Sequence, residues 1–173
     1  GPTAHVRLSG IFRPMTYTDV TKSSTRTVPG WGVLLSSVAH PHRQLTTYAS
    51  ANCGRGVAGL GGDLAIGNYD LVADPERPGR LYAPLTVGWC AGLQWNFRPN
   101  IFVSASVSGM HYLPRHPVSP TEYRNGITAD INAFWNLTPR IQFGAELDYA
   151  RRANQNGQSG HSWRAGMLCQ FSF

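Results

Sequence analysis

Lysine and acidic residues are scarce in this chain of 173 residues. Lys22 is the only lysine among 15 cationic residues, and nine Asp and Glu leave a formal net charge of +6. Charged residues make up 14% of the chain, compared with about 25% in a typical soluble domain. Since a solvated surface is normally rich in lysine and glutamate, the composition indicates that little of this chain forms an ordinary water-facing surface.

Other sequence signals are absent, and each absence excludes a class of protein. No apolar run reaches 18 residues, which excludes a transmembrane helix, and we expect no cleavable signal at the start. Cys53, Cys90 and Cys169 form no CxxC pattern, so we expect neither a disulfide framework nor a metal site. No basic run exceeds Arg151-Arg152, so we expect no nucleic-acid partner.

Strict alternation of apolar and polar side chains is the dominant pattern, and it predicts strands with two unlike faces. It recurs in eight segments: 4–18, 31–40, 44–53, 85–98, 101–112, and three more that end near Leu137, Arg152 and Phe173. No segment has a convincing helical period. The sequence therefore predicts a single all-β domain over residues 1–173, an antiparallel up-and-down transmembrane β-barrel with eight strands per chain.

The connections alternate between short and long. Tight turns of Pro, Asn and Thr occur at 41–43, 98–100 and 137–139, and longer polar links occur at 19–30, 54–84, 113–122 and 153–161. This order predicts that all the tight turns lie at one rim of the barrel. The loop 54–84 is unusually long, and such loops are commonly functional. We expect it to be an exposed loop or a constriction at the barrel mouth.

The residue types on the two faces favour a membrane protein. The polar face is built from Ser, Gly, Thr and Asn, which would make a poor solvent face. The apolar face carries bulky aromatics near the strand ends, as in the two aromatic girdles of outer-membrane barrels. The predicted girdle residues are Trp31, Trp89, Trp95, Trp135, Tyr149, Trp163, Phe171 and Phe173. A barrel in the bacterial outer membrane, in contact with the lipid bilayer and lipopolysaccharide, is thus favoured over a soluble ligand-binding barrel.

Three internal stretches and the end of the chain resemble a known family. Val28-Pro29-Gly30-Trp31-Gly32-Val33, residues 92–100 (GLQWNFRPN), residues 134–140 (FWNLTPR) and the terminal QFSF look like the C-terminal part of DcaP-like outer-membrane porins. The resemblance implies a sixteen-stranded, trimeric channel for small, often anionic solutes. This chain has only eight candidate strands, about half that number. Either it forms a small barrel of its own, or a homo-oligomer or a half outside this sequence completes such a channel.

Charged residues concentrate on the polar face and suggest two opposite functions. The predicted lumen cluster comprises Arg7, Arg13, Arg98, Arg124, Asp130, Arg140, Glu146, Asp148, Arg152 and Arg164. An arginine-rich lumen would bias a water-filled pore towards anions. Eight strands, however, enclose an interior just wide enough for side chains. The alternative is therefore a non-conducting structural or anchoring barrel, its lumen plugged by Arg–Asp/Glu pairs.

Two further motifs have ordinary explanations. Gly54-Arg55-Gly56-Val57-Ala58-Gly59 matches GxGxxG, but a dinucleotide site needs a helix after the motif within a βαβ unit, and we expect neither. His161 and Ser162 are adjacent in a strand, so their side chains point to opposite faces and cannot form a catalytic pair. We expect no cofactor and no enzymatic activity.

Overall fold

The computed structural model describes residues 3–20, 22–64 and 67–173, and strands dominate it. The long strands are β1 (Thr3–Asp19), β2 (Ser24–His42), β3 (Leu45–Arg55), β6 (Leu85–Arg98), β7 (Ile101–Leu113), β8 (Tyr123–Thr138), β9 (Ile141–Asn154) and β10 (Ser159–Phe171). Two short strands, β4 (Val72–Ala73) and β5 (Leu81–Tyr82), form a separate hairpin. Single 3-10 turns cover Ala58–Leu60 and Gly62–Leu64. Among the residues described, no helix is long and apolar enough to cross a membrane.

The eight long strands form one antiparallel sheet in the order β1-β2-β3-β6-β7-β8-β9-β10. Each strand pairs with its neighbours in the chain, apart from the β3–β6 pair, which the β4–β5 hairpin separates in sequence. The prediction of an all-β, antiparallel, up-and-down arrangement is thereby confirmed.

The register gives the sheet one continuous apolar face and one continuous polar face. Ala165, Leu147, Ile131, Ala105 and Leu93 lie opposite one another on five successive strands. Side chains alternate across a strand, so the residues that neighbour these five in the sequence form equivalent rows on the polar face. Alternation is a local property, and it predicts the faces of the strands wherever their pairing is regular.

The sheet is open in the described residues. β1 and β10 are its two edges, and neither pairs with a second long strand. Closure into a barrel, which the sequence analysis predicts, is therefore not seen here. The alternation specifies which side chains share a face, but it does not specify the curvature of the sheet or what lies beyond its edges.

The predicted links differ at two positions from those in the structure. Most of the predicted link 19–30 is strand, since β1 runs to Asp19 and β2 begins at Ser24; Thr21 between them lies outside the described residues. The predicted link 153–161 is also shorter in the structure, where only a turn separates Asn154, at the end of β9, from Ser159, at the start of β10. Pro29, near the end of the predicted link, lies directly opposite Pro14 in the β1–β2 ladder. An antiparallel ladder accommodates prolines at its non-hydrogen-bonded pairs, where no N–H is needed.

The tight turns lie at one rim, as their order in the sequence predicts. The β2–β3, β6–β7 and β8–β9 connections share this rim with the start of β1 and the end of β10. The opposite rim carries the β1–β2 turn, the β9–β10 turn, the segment 114–122 and the long link between β3 and β6. We call residues 56–84 the long link; residues 65 and 66 within it lie outside the described residues.

Candidate functional site on the polar face

Arg164 is the centre of an ion-pair group on the polar face. Its Nε lies 2.6 Å from Oδ2 of Asp148, its direct partner on β9, and its Nη2 lies 2.6 Å from Oε1 of Glu146. The Arg164 side chain is nevertheless 73% exposed. The guanidinium is thus held by two carboxylates and still open to water.

Asp130 extends this group to the neighbouring strands. It accepts hydrogen bonds from the Ser106 hydroxyl on β7 and, at 2.9 Å, from the Asn132 amide. It lies opposite Asp148 in the β8–β9 ladder. The row formed by Ser106, Asp130, Asp148 and Arg164 crosses four strands at one level of the sheet. It presents more negative than positive charge.

Two predicted lumen arginines lie on the polar face away from these acids. Arg7 is exposed on β1, opposite Ser36. Arg152 on β9 donates to Oδ1 of Asn154 at 3.1 Å, and its guanidinium lies 5.4 Å from the centre of the Tyr123 ring. Within residues 3–20, 22–64 and 67–173, neither arginine forms an ion pair with a carboxylate. Their charges are free to attract an anion.

Three other predicted lumen arginines lie elsewhere, because bulges and turns shift the alternation. A bulge between Asn96 and Arg98 pairs Arg98 with Ile101 of the apolar face. A bulge between Tyr123 and Asn125 leaves Arg124 exposed as the inserted residue. Arg140 lies in the β8–β9 turn, where its backbone N–H donates to the Thr138 hydroxyl at 3.2 Å. A bulge adds one residue to a strand, so strict alternation cannot anticipate it.

The long link is fixed to the polar face by Arg13. The Arg13 Nη1 donates to Oδ2 of Asp70 at 2.8 Å and to the Gly56 carbonyl at 3.2 Å. Oδ1 of Asp70 in turn accepts from the Gly59 backbone N–H at 2.9 Å. One arginine of β1 therefore holds both the start and the middle of the link.

The described part of the link also packs an apolar cluster against the polar face. Its members are Ala58, Leu64, Met110, Tyr112 and Tyr123, with Tyr69 packed against them. The Tyr69 and Tyr112 ring centres lie 4.9 Å apart, and the Tyr123 hydroxyl donates to the Met110 carbonyl at 3.3 Å. Large side chains at polar-face positions, Met110 and Tyr112 above all, were the available sequence signal that something covers this end of the face.

The glycines of the GxGxxG motif leave the space that this packing needs. A side chain at Gly54 would collide with the Trp31 carbonyl and with Val57. Gly56 has a φ of +66°, which favours glycine, and its Cα faces the end of Met15. The motif is therefore the point where the chain leaves β3 and bends back over the sheet.

A second contact joins the long link to the segment 114–122. Nε2 of His116 lies 3.6 Å from Oδ1 of Asp74, and its Nδ1 lies 3.4 Å from Oε1 of Glu76. The ring also meets the edge of Tyr82 at 5.4 Å. The three polar side chains have ligand atoms within 4.8 Å of one another, but the carboxylates face different ring nitrogens.

The predicted girdle aromatics lie on the apolar face in two groups. Trp31, Trp89, Tyr149 and Trp163 are nearer the rim of the long link; Trp95, Trp135, Phe171 and Phe173 are nearer the rim of the tight turns. The Tyr149 and Trp163 rings are 4.9 Å apart across the β9–β10 pair. Aliphatic and alanine side chains fill the band between the groups.

Comparison with known proteins gives one informative match. No family model and no curated protein matches the chain. A solved structure of the outer membrane channel DcaP of Acinetobacter baumannii superposes with a TM-score of 0.76 at 17% identity, covering 97% of this chain and 47% of the channel chain. The chain is similar in fold to an outer-membrane channel. The resemblance read from the sequence is confirmed at the level of the fold, and this chain spans about half the length of DcaP.

Proposed function

We propose that this chain forms the wall of a passive channel in the outer membrane of a Gram-negative bacterium, and that the channel admits small, anionic solutes. The observation that carries the proposal is a sheet of membrane-crossing length with one apolar face and one charged, water-exposed face. β6, β7, β9 and β10 have 13 or 14 residues, whereas a tilted strand needs about 9–11 to cross a bilayer. In this position the apolar face contacts lipid and lipopolysaccharide.

Exposure of the charged groups supports a water-filled pore over a plugged barrel. In a plug, the ion pairs would be buried, because buried charges have to be paired and shielded from water. Glu146 and Asp148, which form short ion pairs with Arg164, lie on the inner strand β9 and still keep 36% and 23% of their side chains exposed.

The distribution of charge supports anion preference. Arg7 and Arg152 are exposed on the polar face outside the acidic row, and Arg13 lies beside the docked long link. Unpaired guanidinium groups that line a pore attract anions, and Arg164 offsets part of the negative charge of the acidic row. We assign the selectivity to Arg7 and Arg152, with the long link narrowing the passage at one rim.

Ion current through planar bilayers tests the proposal. The purified, detergent-folded protein should give stepwise conductance, and the reversal potential in a KCl gradient should have the sign of chloride preference. Arg7→Gln with Arg152→Gln should shift the reversal potential towards zero. Arg140→Gln, in a turn at the rim, is the matched control and should leave it unchanged. Folded protein that carries no current would refute the channel.

A further inference from the structure

A cluster of one histidine and two carboxylates lies at the rim of the long link, apart from the charged row on the polar face. Asp74 and Glu76 belong to the long link, just after β4, and His116 belongs to the segment 114–122. One imidazole nitrogen and one oxygen of each carboxylate lie within 4.8 Å of one another. We call these three residues the rim cluster. Imidazole and carboxylate are donor groups that bind transition-metal ions in proteins.

The turn after β4 fixes the position of Asp74. Its Oδ1 accepts from the Glu76 backbone N–H at 3.0 Å, and its carbonyl accepts from the Arg77 N–H at 3.2 Å. Its own N–H donates to the Arg80 carbonyl at 2.8 Å. Asp followed by Pro75 is a common start for such a turn, since proline presets the second position. The Asp74 side chain is only 7% exposed, so its carboxylate is held in place before any ligand arrives.

Tyr82 holds the imidazole of His116 beside Asp74. The Tyr82 hydroxyl accepts from the His116 backbone N–H at 3.4 Å, and the two rings meet edge to face with their centres 5.4 Å apart. The His116 side chain is 10% exposed, whereas that of Glu76 is 73% exposed. Two members of the rim cluster are therefore buried and fixed, and Glu76 is free to turn towards them.

The distances within the rim cluster exceed those of hydrogen bonds and match the spacing of metal ligands. Nε2 of His116 lies 3.6 Å from Oδ1 of Asp74, and its Nδ1 lies 3.4 Å from Oε1 of Glu76. An N–H···O hydrogen bond spans about 2.7–3.2 Å. Ligand atoms that each lie about 2.0–2.1 Å from a tetrahedral zinc ion are about 3.4 Å from one another. The gap between Nε2 and Oδ1 therefore has room for an ion bonded to both atoms.

We propose that the rim cluster binds one divalent transition-metal ion such as Zn²⁺. Nε2 of His116 and Oδ1 of Asp74 are the fixed ligands, and the mobile Glu76 carboxylate is the third. The two carboxylates balance the charge of the ion, and imidazole selects zinc-like ions over Ca²⁺ and Mg²⁺, which prefer oxygen ligands. A carboxylate oxygen has two lone pairs, so Oδ1 keeps its bond to the Glu76 N–H.

The ion would join two segments that no strand pairing connects, the β4–β5 hairpin and the segment 114–122. The three cysteines, whose spacing predicts no metal site, are not members of the rim cluster. The proposal goes beyond the channel function and does not depend on it.

Isothermal titration of the purified, detergent-folded chain with Zn²⁺, after removal of metals with EDTA, tests the site. The unmodified protein should bind one more Zn²⁺ per chain than His116→Gln. His161→Gln is the matched control, because it removes an imidazole that is exposed on β10, opposite Arg151, and it should bind like the unmodified protein. Glu76→Gln changes an exposed side chain, so it should fold normally and weaken the affinity at least about tenfold. Circular dichroism checks the fold of each variant.

Amide hydrogen exchange locates the bound ion. Zn²⁺ should slow exchange at Glu76, Arg77 and Arg80, in the turn after β4, in the unmodified protein and in His161→Gln. In His116→Gln it should have no effect on these amides.

Several results would overturn the proposal. They are equal zinc binding by the unmodified protein and His116→Gln, no saturation below about 1 mM Zn²⁺, and displacement of Zn²⁺ by an equal concentration of Mg²⁺, which would indicate binding by carboxylates alone. If His116→Gln does not fold, Glu76→Gln decides, and an unchanged affinity in that variant refutes the site. Zinc binding is measured without a bilayer, so its failure leaves the channel standing, and a folded protein that binds Zn²⁺ but carries no current would refute only the channel.

Discussion

Asp130 on β8 and Asp148 on β9 lie directly opposite each other on the polar face. Like charges at such positions repel, and each carboxylate here has separate compensation. Ser106 and Asn132 donate to Asp130, while Arg164 binds Asp148. Arg164 is therefore the only cation that balances this pair among the described ion pairs, which makes it a sensitive point for the selectivity of the proposed pore.

We expect Arg164→Gln to lower anion preference more than it lowers stability. Loss of the guanidinium leaves three neighbouring carboxylates in the pore wall, and water can solvate them because the site is exposed. The reversal potential in a KCl gradient should move in the cation-selective direction. Adding Asp130→Asn to Arg164→Gln removes one of these carboxylates and should reverse part of the shift in reversal potential. An unchanged potential in a conducting protein would place this row outside the ion path.

The apolar face predicts a depth-dependent penalty for charge. Ile131→Arg should cost about 2–4 kcal/mol of folding free energy if the residue lies near the bilayer midplane. Asn132→Arg, one residue away on the polar face, is the control and should cost less than about 1 kcal/mol. Gly144 is unsuitable as a control, because a side chain there would press on the Phe134 ring. Urea titrations in lipid vesicles measure both values, and a larger cost for Asn132→Arg would mean that the faces are inverted.

Tyr112 should anchor the long link through its ring and not through its hydroxyl. Its side chain is almost fully buried, and its hydroxyl has no hydrogen-bond partner in the part of the chain described. Tyr112→Phe should therefore be neutral or stabilise by up to about 1 kcal/mol. Tyr112→Ala should lower the free energy of unfolding by about 3–5 kcal/mol. The loss should be smaller if the long link comes away from the polar face. Denaturant titration and current noise report these effects, and strong destabilisation by Tyr112→Phe would contradict the contacts described.

The Arg13–Asp70 pair should control how often the long link opens. A partly exposed, charge-assisted hydrogen bond contributes about 1 kcal/mol, so Asp70→Asn should raise amide hydrogen exchange of the link about fivefold. Amides in the middle of β7 serve as the internal control. Equal exchange in the variant and the unmodified protein would mean that the apolar cluster alone holds the link.

Trypsin added to intact cells should distinguish the two rims. Lys22, Arg80 and Arg115 lie at the rim of the long link, in turns or loops, and should be cut first. Arg26 pairs with Tyr17 inside the β1–β2 ladder and should resist, although it falls within the link 19–30 predicted from the sequence. Cleavage at Arg43 or Arg140, in the tight turns, from outside the cell would mean that the orientation is the reverse.

The faces of the strands could be read from the sequence because alternation involves only neighbouring residues. The row from Ala165 to Leu93 follows directly from it. The docking of the long link could not be read in this way, because Arg13 and Asp70 are 57 residues apart and no local pattern joins them. The displaced positions of Arg98 and Arg124 arise from bulges, each a single inserted residue in an otherwise regular ladder.

The position of all the tight turns at one rim has a consequence for where the chain can lengthen. The β2–β3, β6–β7 and β8–β9 connections each leave two residues between paired strands, so they are already hairpins of minimal length. The opposite rim carries the segment 114–122 and the long link, and residues added there would leave every strand pair in place. Variation in length between related sheets should therefore be confined to that rim.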